Sequence, residues 1–453
     1  MRTTKTIGGP LVAAVIAHAG CAQDALGPDC ERCDVPPDET ASLIADVRAL
    51  AADNGVVAVE GAPEVRDELF ALGQALAFDK ILSGNLNISC MTCHHPDLGT
   101  DDERHLSLGE GGVGLGADRE GGHLIPRNSP PLFNLHAMPA MFWDGRVFID
   151  EYGVLHTPAG DEITDEMVEV FEFGVASAQG MFPVTSPEEM AGMPGTNEIA
   201  DAATHTELWE RLMARLGSVP EYVEMFEAAY PGTDFEDMTF AHAANAIAGF
   251  EIRAFEAVGS RWQEFLRGDD DALEPFELYG ALEFFESGCA TCHSGPMLSD
   301  FEHHNTGLAQ FGPGKGDGVY GDDDFGREGV TGDPADRYKF KTPTLHNIAI
   351  TGPYGHAGQY AGLREFIDHY LDPADRLERY DVTAHVASSE AHLWEMVVDN
   401  TYDVLAQLSP LAHMEFERAE ELVAFLETLT DEASLDLAHT VPETVPSGVP
   451  VAD

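Results

Sequence analysis

The sequence predicts a mainly α-helical protein made of two related domains joined and covered by long ordered loops. Three observations predict it: apolar residues recur at helical spacing, one segment pattern occurs twice, and glycine gathers in two long connections. A chain of 453 residues with 44% hydrophobic content is large enough for two cores.

Val65, Leu69, Leu72 and Leu76 recur at three- and four-residue steps, which puts one apolar face on a helix. Phe240, Ala244, Ile247, Phe250 and Ala254 repeat that spacing, and so do Leu422, Leu426 and Leu429. Alternating, strand-like runs are scarce. The repeat is short but clear. Leu72-Gly73-Gln74-Ala75-Leu76-Ala77-Phe78 leads towards Cys90, and Leu278-Tyr279-Gly280-Ala281-Leu282-Glu283-Phe284 leads towards Cys289. Two related domains follow, residues 61–260 and 261–435, with the junction near 255–275. The glycine-rich connections run from Gly109 to Gly122 and from Gly312 to Gly332.

The ends read differently. Residues 1–21 have the form of an export signal: Arg2 and Lys5, an apolar centre from Leu11 to Ala17, then Ala19-Gly20 before Cys21. The apolar stretch is too short for a permanent membrane span. Small-small-Cys also fits a lipoprotein cleavage site, which would place lipid on Cys21 as the one link to a membrane, although His18 stands where such sites usually carry Leu. A periplasmic or cell-envelope location is expected. Residues 22–60 read as an acidic tether and 436–453 as a tail. Cys30 and Cys33 form a CxxC without a following His, for which a local disulfide is the expectation in an exported chain.

The charge is extreme: 24 basic against 80 acidic residues, a net −56. Such a surface repels nucleic acid and anionic lipid and favours a basic protein partner. A salt-adapted organism gives the same composition, so charge names no partner.

The chemistry lies in the remaining cysteines. Cys90-Met91-Thr92-Cys93-His94 and Cys289-Ala290-Thr291-Cys292-His293 are c-type haem attachment patterns. Two thiols add across the two vinyl groups of a haem, and the adjacent His reaches the iron from the proximal side. Each domain is therefore expected to wrap one covalent haem, with His94 and His293 as proximal ligands. The distal side decides function: an open site admits peroxide, and a tight second ligand permits electron transfer alone.

Pro126-Arg127-Asn128-Ser129-Pro130, Phe142-Trp143-Asp144-Gly145-Arg146 and Thr351-Gly352-Pro353-Tyr354-Gly355-His356-Ala357-Gly358 together resemble the bacterial di-haem cytochrome c peroxidase and MauG family. The resemblance covers roughly residues 65–430 in order, with an insertion after Arg146. It implies that Trp143 lies between the haems as a bridge for electrons or holes. It implies a calcium ion held by Asn128 and the carbonyls of Thr351 and Pro353, oxygen donors that suit a hard cation. Gln179 and Glu189 match the family's distal pair over the first haem, where a carboxylate accepts a proton from peroxide and returns it to the leaving oxygen.

The discriminating position is Tyr370. Ordinary peroxidases of the family carry a distal Met at this distance after His356; tyrosine resembles the MauG-like enzymes, the methanobactin-associated relatives among them. A phenolate stabilises oxidised iron, and a thioether does the reverse. His369 is the alternative ligand, while Met396 and Met414 lie too far along to align as the usual Met. For the first haem, His123 and His105 are candidate loop ligands, and an open site agrees better with Tyr370. His303-His304, His385 and His392 read as solvated residues.

The resulting expectation is a di-haem enzyme that reacts with hydrogen peroxide and oxidises aromatic residues of a partner protein. The alternatives are a peroxidase detoxifying peroxide with electrons from a small cytochrome or cupredoxin, and a di-haem electron carrier without turnover.

Overall fold

The computed structural model describes residues 35–451. Export signal, Cys21, Cys30 and Cys33 lie outside the described residues. Among those described, no helix is long and apolar enough to cross a membrane.

Two apolar cores organise the chain. The first is built mainly on the helices Asp67–Phe78, His205–Gly217, Pro220–Ala229 and Phe240–Ala254. Leu69, Leu72 and Leu76 are fully buried, as their spacing predicts. The second is built on Pro275–Glu286 and Ala419–Glu427, with Trp262 and Phe265 between them. Local chemistry starts these helices: the Thr239 N–H donates to the His242 ring on one, and Glu274 and Glu277, with Pro275 at the first position, form a reciprocal cap on another.

The repeated segment has a specific job in each half. A Cβ added at Gly73 would lie 1.9 Å from the Ala246 carbonyl oxygen, and one at Gly280 would lie 1.8 Å from that of Glu421. In both domains the helix leading to the CxxCH therefore crosses the domain's later helix backbone to backbone, at glycine.

Strands are few among the described residues. Ala140–Met141 pairs with Val147–Ile149 and that with Leu155–His156, a small antiparallel sheet whose last two strands lie in the segment inserted after Arg146, and two further ribbons have two strands each.

Three expectations change. Residues 37–53, expected within an acidic tether, form a helix whose Leu43, Val47 and Ala51 are buried in the second core. The described part of the 436–453 tail, residues 436–451, packs on the first domain: Val445 joins the first core, Gln74 donates to the Thr440 carbonyl at 2.7 Å, and the Ser447 hydroxyl donates to Asp79 at 2.7 Å. His303-His304 is not a solvated pair. It forms a ribbon with Phe340-Lys341, and burial pushes His303 down to about 4 while Asp300 at 2.9 Å raises His304.

Candidate haem sites

Cys90 and Cys93 occupy one helical turn, Cys90–Cys93, closed by a reciprocal Ser89–Thr92 cap. The His94 ring follows, with Nδ1 at 3.2 Å from the Thr100 carbonyl and 3.1 Å from the Ser129 hydroxyl. With Nδ1–H donated to that carbonyl, the Nε2 lone pair is left for a metal. Desolvation holds the imidazole neutral, down to about 4. His293 repeats the arrangement, Nδ1 at 2.9 Å from the Leu298 carbonyl. Burial pushes the Cys90 thiol up to about 12.

A single cavity joins Cys90, Cys93 and His94 to Gln179, Glu189, Trp143 and Asn128, walled by apolar groups such as Ile88, Leu132, Val184 and Ile247. This donor set and apolar shell fit a covalent haem ligated by His94. Gln179 ends the short Val175–Gln179 helix, and Glu189 sits in the turn Pro187–Ala191, where its N–H meets the Ser186 hydroxyl. Burial is the largest influence on Glu189 and raises it above the usual carboxylate range, although Arg146 and Lys315 pull it down.

His94 is the one imidazole among the residues lining that cavity. His123 is not among them. His105 is buried rather than at the surface: Nδ1 pairs with the Gly358 carbonyl and Nε2 accepts from the Ala387 N–H. Neither ring nitrogen of His105 is left for iron.

Trp143 is clamped across the two halves. Its indole N–H donates to the Asn128 carbonyl at 2.9 Å, and its own carbonyl accepts from the Lys341 N–H at 2.7 Å. Beside it, Arg127 makes a buried two-bond pair with Asp324, 2.7 and 2.8 Å, and a third bond to Asp144 at 2.6 Å. Asn128 donates its side-chain amide to the Arg104 carbonyl and its N–H to the His356 carbonyl, both at 2.9 Å. That leaves its side-chain oxygen, while the Thr351 and Pro353 carbonyls accept no backbone hydrogen bond among the described residues. Oxygens of this kind are the donors that a hard cation takes.

At the second site, Tyr370 follows the Leu363–His369 helix and packs against Phe366, centroids 5.6 Å apart. Burial raises its phenol, and the nearby Cys292 and Cys289 push the same way. His369, the alternative ligand, has both ring nitrogens engaged: Tyr360 hydroxyl at 3.0 Å and Thr306 carbonyl at 2.8 Å. The fold also brings in Met414, whose N–H donates to the Tyr370 carbonyl and whose sulfur lies 3.6 Å from that of Cys289.

Sequence reasoning missed Glu251, Lys315 and Lys341, all lining the first cavity. Burial alone pushes Glu251 up to about 8, and Lys341 down to about 8 against the opposing pull of Asp144.

Comparison with known proteins agrees with this geometry. Residues 67–271 match the family profile described as di-haem cytochrome c peroxidase. The chain is 31% identical to methylamine utilization protein MauG of Methylorubrum extorquens, over 83% of this chain and 81% of that one. It is 30% identical to cytochrome c551 peroxidase of Nitrosomonas europaea, over 72% and 80% respectively. Among solved structures, a MauG-like protein associated with microbial copper homeostasis superposes with a TM-score of 0.57 at 26% identity, covering 85% of this chain and 97% of that one. The di-haem peroxidase BthA of Burkholderia thailandensis shares the fold at TM-score 0.55 and 18% identity, over 82% and 88%. With two CxxCH sites, each His set to ligate through Nε2, the chain belongs to the di-haem cytochrome c peroxidase and MauG family, haem-dependent oxidoreductases that carry c-type haems.

Proposed function

We propose that this protein is a MauG-like enzyme of the periplasm or cell envelope that uses hydrogen peroxide to oxidise aromatic side chains of a partner protein. The observation that carries the reading is Tyr370: it stands beside Cys289 and Cys292, and its competitor His369 has both ring nitrogens occupied. A phenolate at the second iron favours its oxidised state.

When bound, the two c-type haems would supply the redox chemistry, giving two electrons to each peroxide and regaining two from the substrate. The chain's own residues do the rest. His94 and His293 hold the proximal sides. Gln179 orients peroxide, and Glu189 takes its proton and delivers it to the leaving oxygen. Trp143, fixed by bonds to Asn128 and Lys341, spans the two halves as the bridge. Asn128, Thr351 and Pro353 hold calcium close to it.

A second reading is an ordinary peroxidase fed by a small cytochrome or cupredoxin. Met414 favours it, since a thioether also stands at the second site. The two readings separate in Tyr370→His and Met414→Leu. Under the first, Tyr370→His keeps both haems but loses partner oxidation, and Met414→Leu changes little. If Met414→Leu instead removes a low-spin thioether signature and Tyr370→His turns over normally with a reduced cytochrome, the second reading replaces the first.

A further inference from the structure

Only five lysines occur in this chain of 80 acidic residues, and two of them, Lys315 and Lys341, line the first cavity together with Arg127 and Arg146. Three of these four cations are held by protein groups. Arg127 is paired with Asp144 and Asp324. Arg146 is paired with Asp144 and stacked on Phe142 at 3.5 Å. Lys341 has its nitrogen over the Phe301 ring at 5.4 Å. Lys315 differs: among the described residues its ammonium has no hydrogen-bond or ion-pair partner.

Its placement is nevertheless fixed. The Lys315 N–H donates to the Asp323 carbonyl at 2.8 Å, closing the loop on itself. Gly314 before it has φ +67°, and a Cβ there would lie 2.3 Å from the Asp322 backbone, so the closed loop requires glycine. The loop thus carries a cation from the second half of the chain to the cavity of the first. Lys315 is exposed as a residue, yet desolvation and the adjacent Arg127 and Arg146 push its ammonium down, while Glu189 pushes it back up. A stem running over the surface with its ammonium turned inward accounts for both. The charged groups around Glu189 are Arg146, Lys315, Glu188 and Arg127. Glu251, from the Phe240–Ala254 helix, lines the same cavity but has burial as its one influence, so it stands apart from Lys315.

We propose that Lys315 is the anion-attracting cation of the first cavity, drawing small anionic ligands to the side bordered by Gln179 and Glu189. This rests on the reading of that side as open to peroxide. An ammonium with no partner keeps its field, a cavity of low dielectric lets that field reach further than water would, and a compact point charge suits a small anion better than a planar fork does.

The experiment is ligand titration of the oxidised, two-haem protein, followed optically, with azide as the anion and imidazole as the neutral control. Lys315→Met weakens azide binding about tenfold and changes imidazole binding less than about twofold, and Lys315→Arg restores azide to within about threefold. Equal azide affinity in the native protein and Lys315→Met overturns the inference while leaving the open site intact. Equal weakening of azide and imidazole also overturns it, because the lysine would then only hold the loop. Failure of the native protein to bind either ligand overturns the open-site reading and the inference together.

Discussion

Glu189 borders a cavity whose walls remove water from its carboxylate, so the charged form is disfavoured before any ligand arrives. Arg146 and Lys315 oppose that effect without cancelling it, and the group stays above the ordinary carboxylate range. Accepting a proton requires the ionised form. The peroxide reaction should therefore be fast above this raised value and fall off as pH drops through it. Glu189→Gln removes the acceptor: stopped-flow spectra should show peroxide binding but a reaction at least about 100-fold slower, with that acid limb gone. A surviving limb in Glu189→Gln would shift the role to Glu251, pushed up to about 8 in the same cavity. At the second site, Tyr370→His should keep both haems, since the thioether links lie elsewhere, and lose partner oxidation. Wild-type oxidation rates in that variant would make Tyr370 a packing residue. Glu189 and Tyr370 were legible only through their place in family motifs. Glu251, Lys315 and Lys341 were not, because one Glu among 80 acids, or one Lys, carries no pattern until the fold turns it into a cavity. His105 shows the converse: its position suggested a ligand, and the backbone at Gly358 and Ala387 takes both its nitrogens.

At the scale of elements, the repeated helices were readable from their apolar spacing, but the reason for the repeated glycine was not. The 3.6-residue period marks which face is buried and says nothing of how close the partner comes. Gly73 and Gly280 each admit another helix backbone to a distance no Cβ tolerates. Gly73→Ala and Gly280→Ala should each cost about 2–3 kcal/mol through overpacking, measured by denaturant unfolding. A loss below about 0.5 kcal/mol would mean that the helices slide apart freely and that the crossing is not what fixes the haem-bearing turn. The Pro37–Asp53 helix was missed for a related reason. Leu43, Val47 and Ala51 do form a stripe, but Asp38, Glu39, Asp46 and Asp53 surround it and give the segment the composition of a solvated linker. The partner surface on Pro275–Glu286, more than 200 residues away, is what makes that thin stripe worth folding.

At the scale of the whole molecule, two haem-bearing halves must hold a fixed relation for Trp143 to serve as a bridge, and a buried ion pair crosses the join. Arg127, from the first half, reaches Asp324 of the second with two bonds and Asp144 with a third, all three side chains buried. Removing one partner of such a group strands a charge away from water. Asp324→Ala should therefore cost about 3 kcal/mol. Because Asp324 belongs to the second half, the loss should fall on the coupling between halves: scanning calorimetry should resolve two transitions where the native protein gives one. The pH dependence has a definite sign. Arg127 holds both Asp144 and Asp324 below the usual carboxylate range despite their burial. Their contribution is therefore complete above the ordinary carboxylate pKa and is lost as pH falls through the lower folded values. Acidification of the native protein should reproduce the split transition of Asp324→Ala, and the variant's own separation should respond less to acid. If Asp324→Ala instead melts in one transition, merely at a lower temperature, the halves are held by the Trp143 clamp and the apolar contacts around it, and the Arg127 pair only sets the depth of a common well.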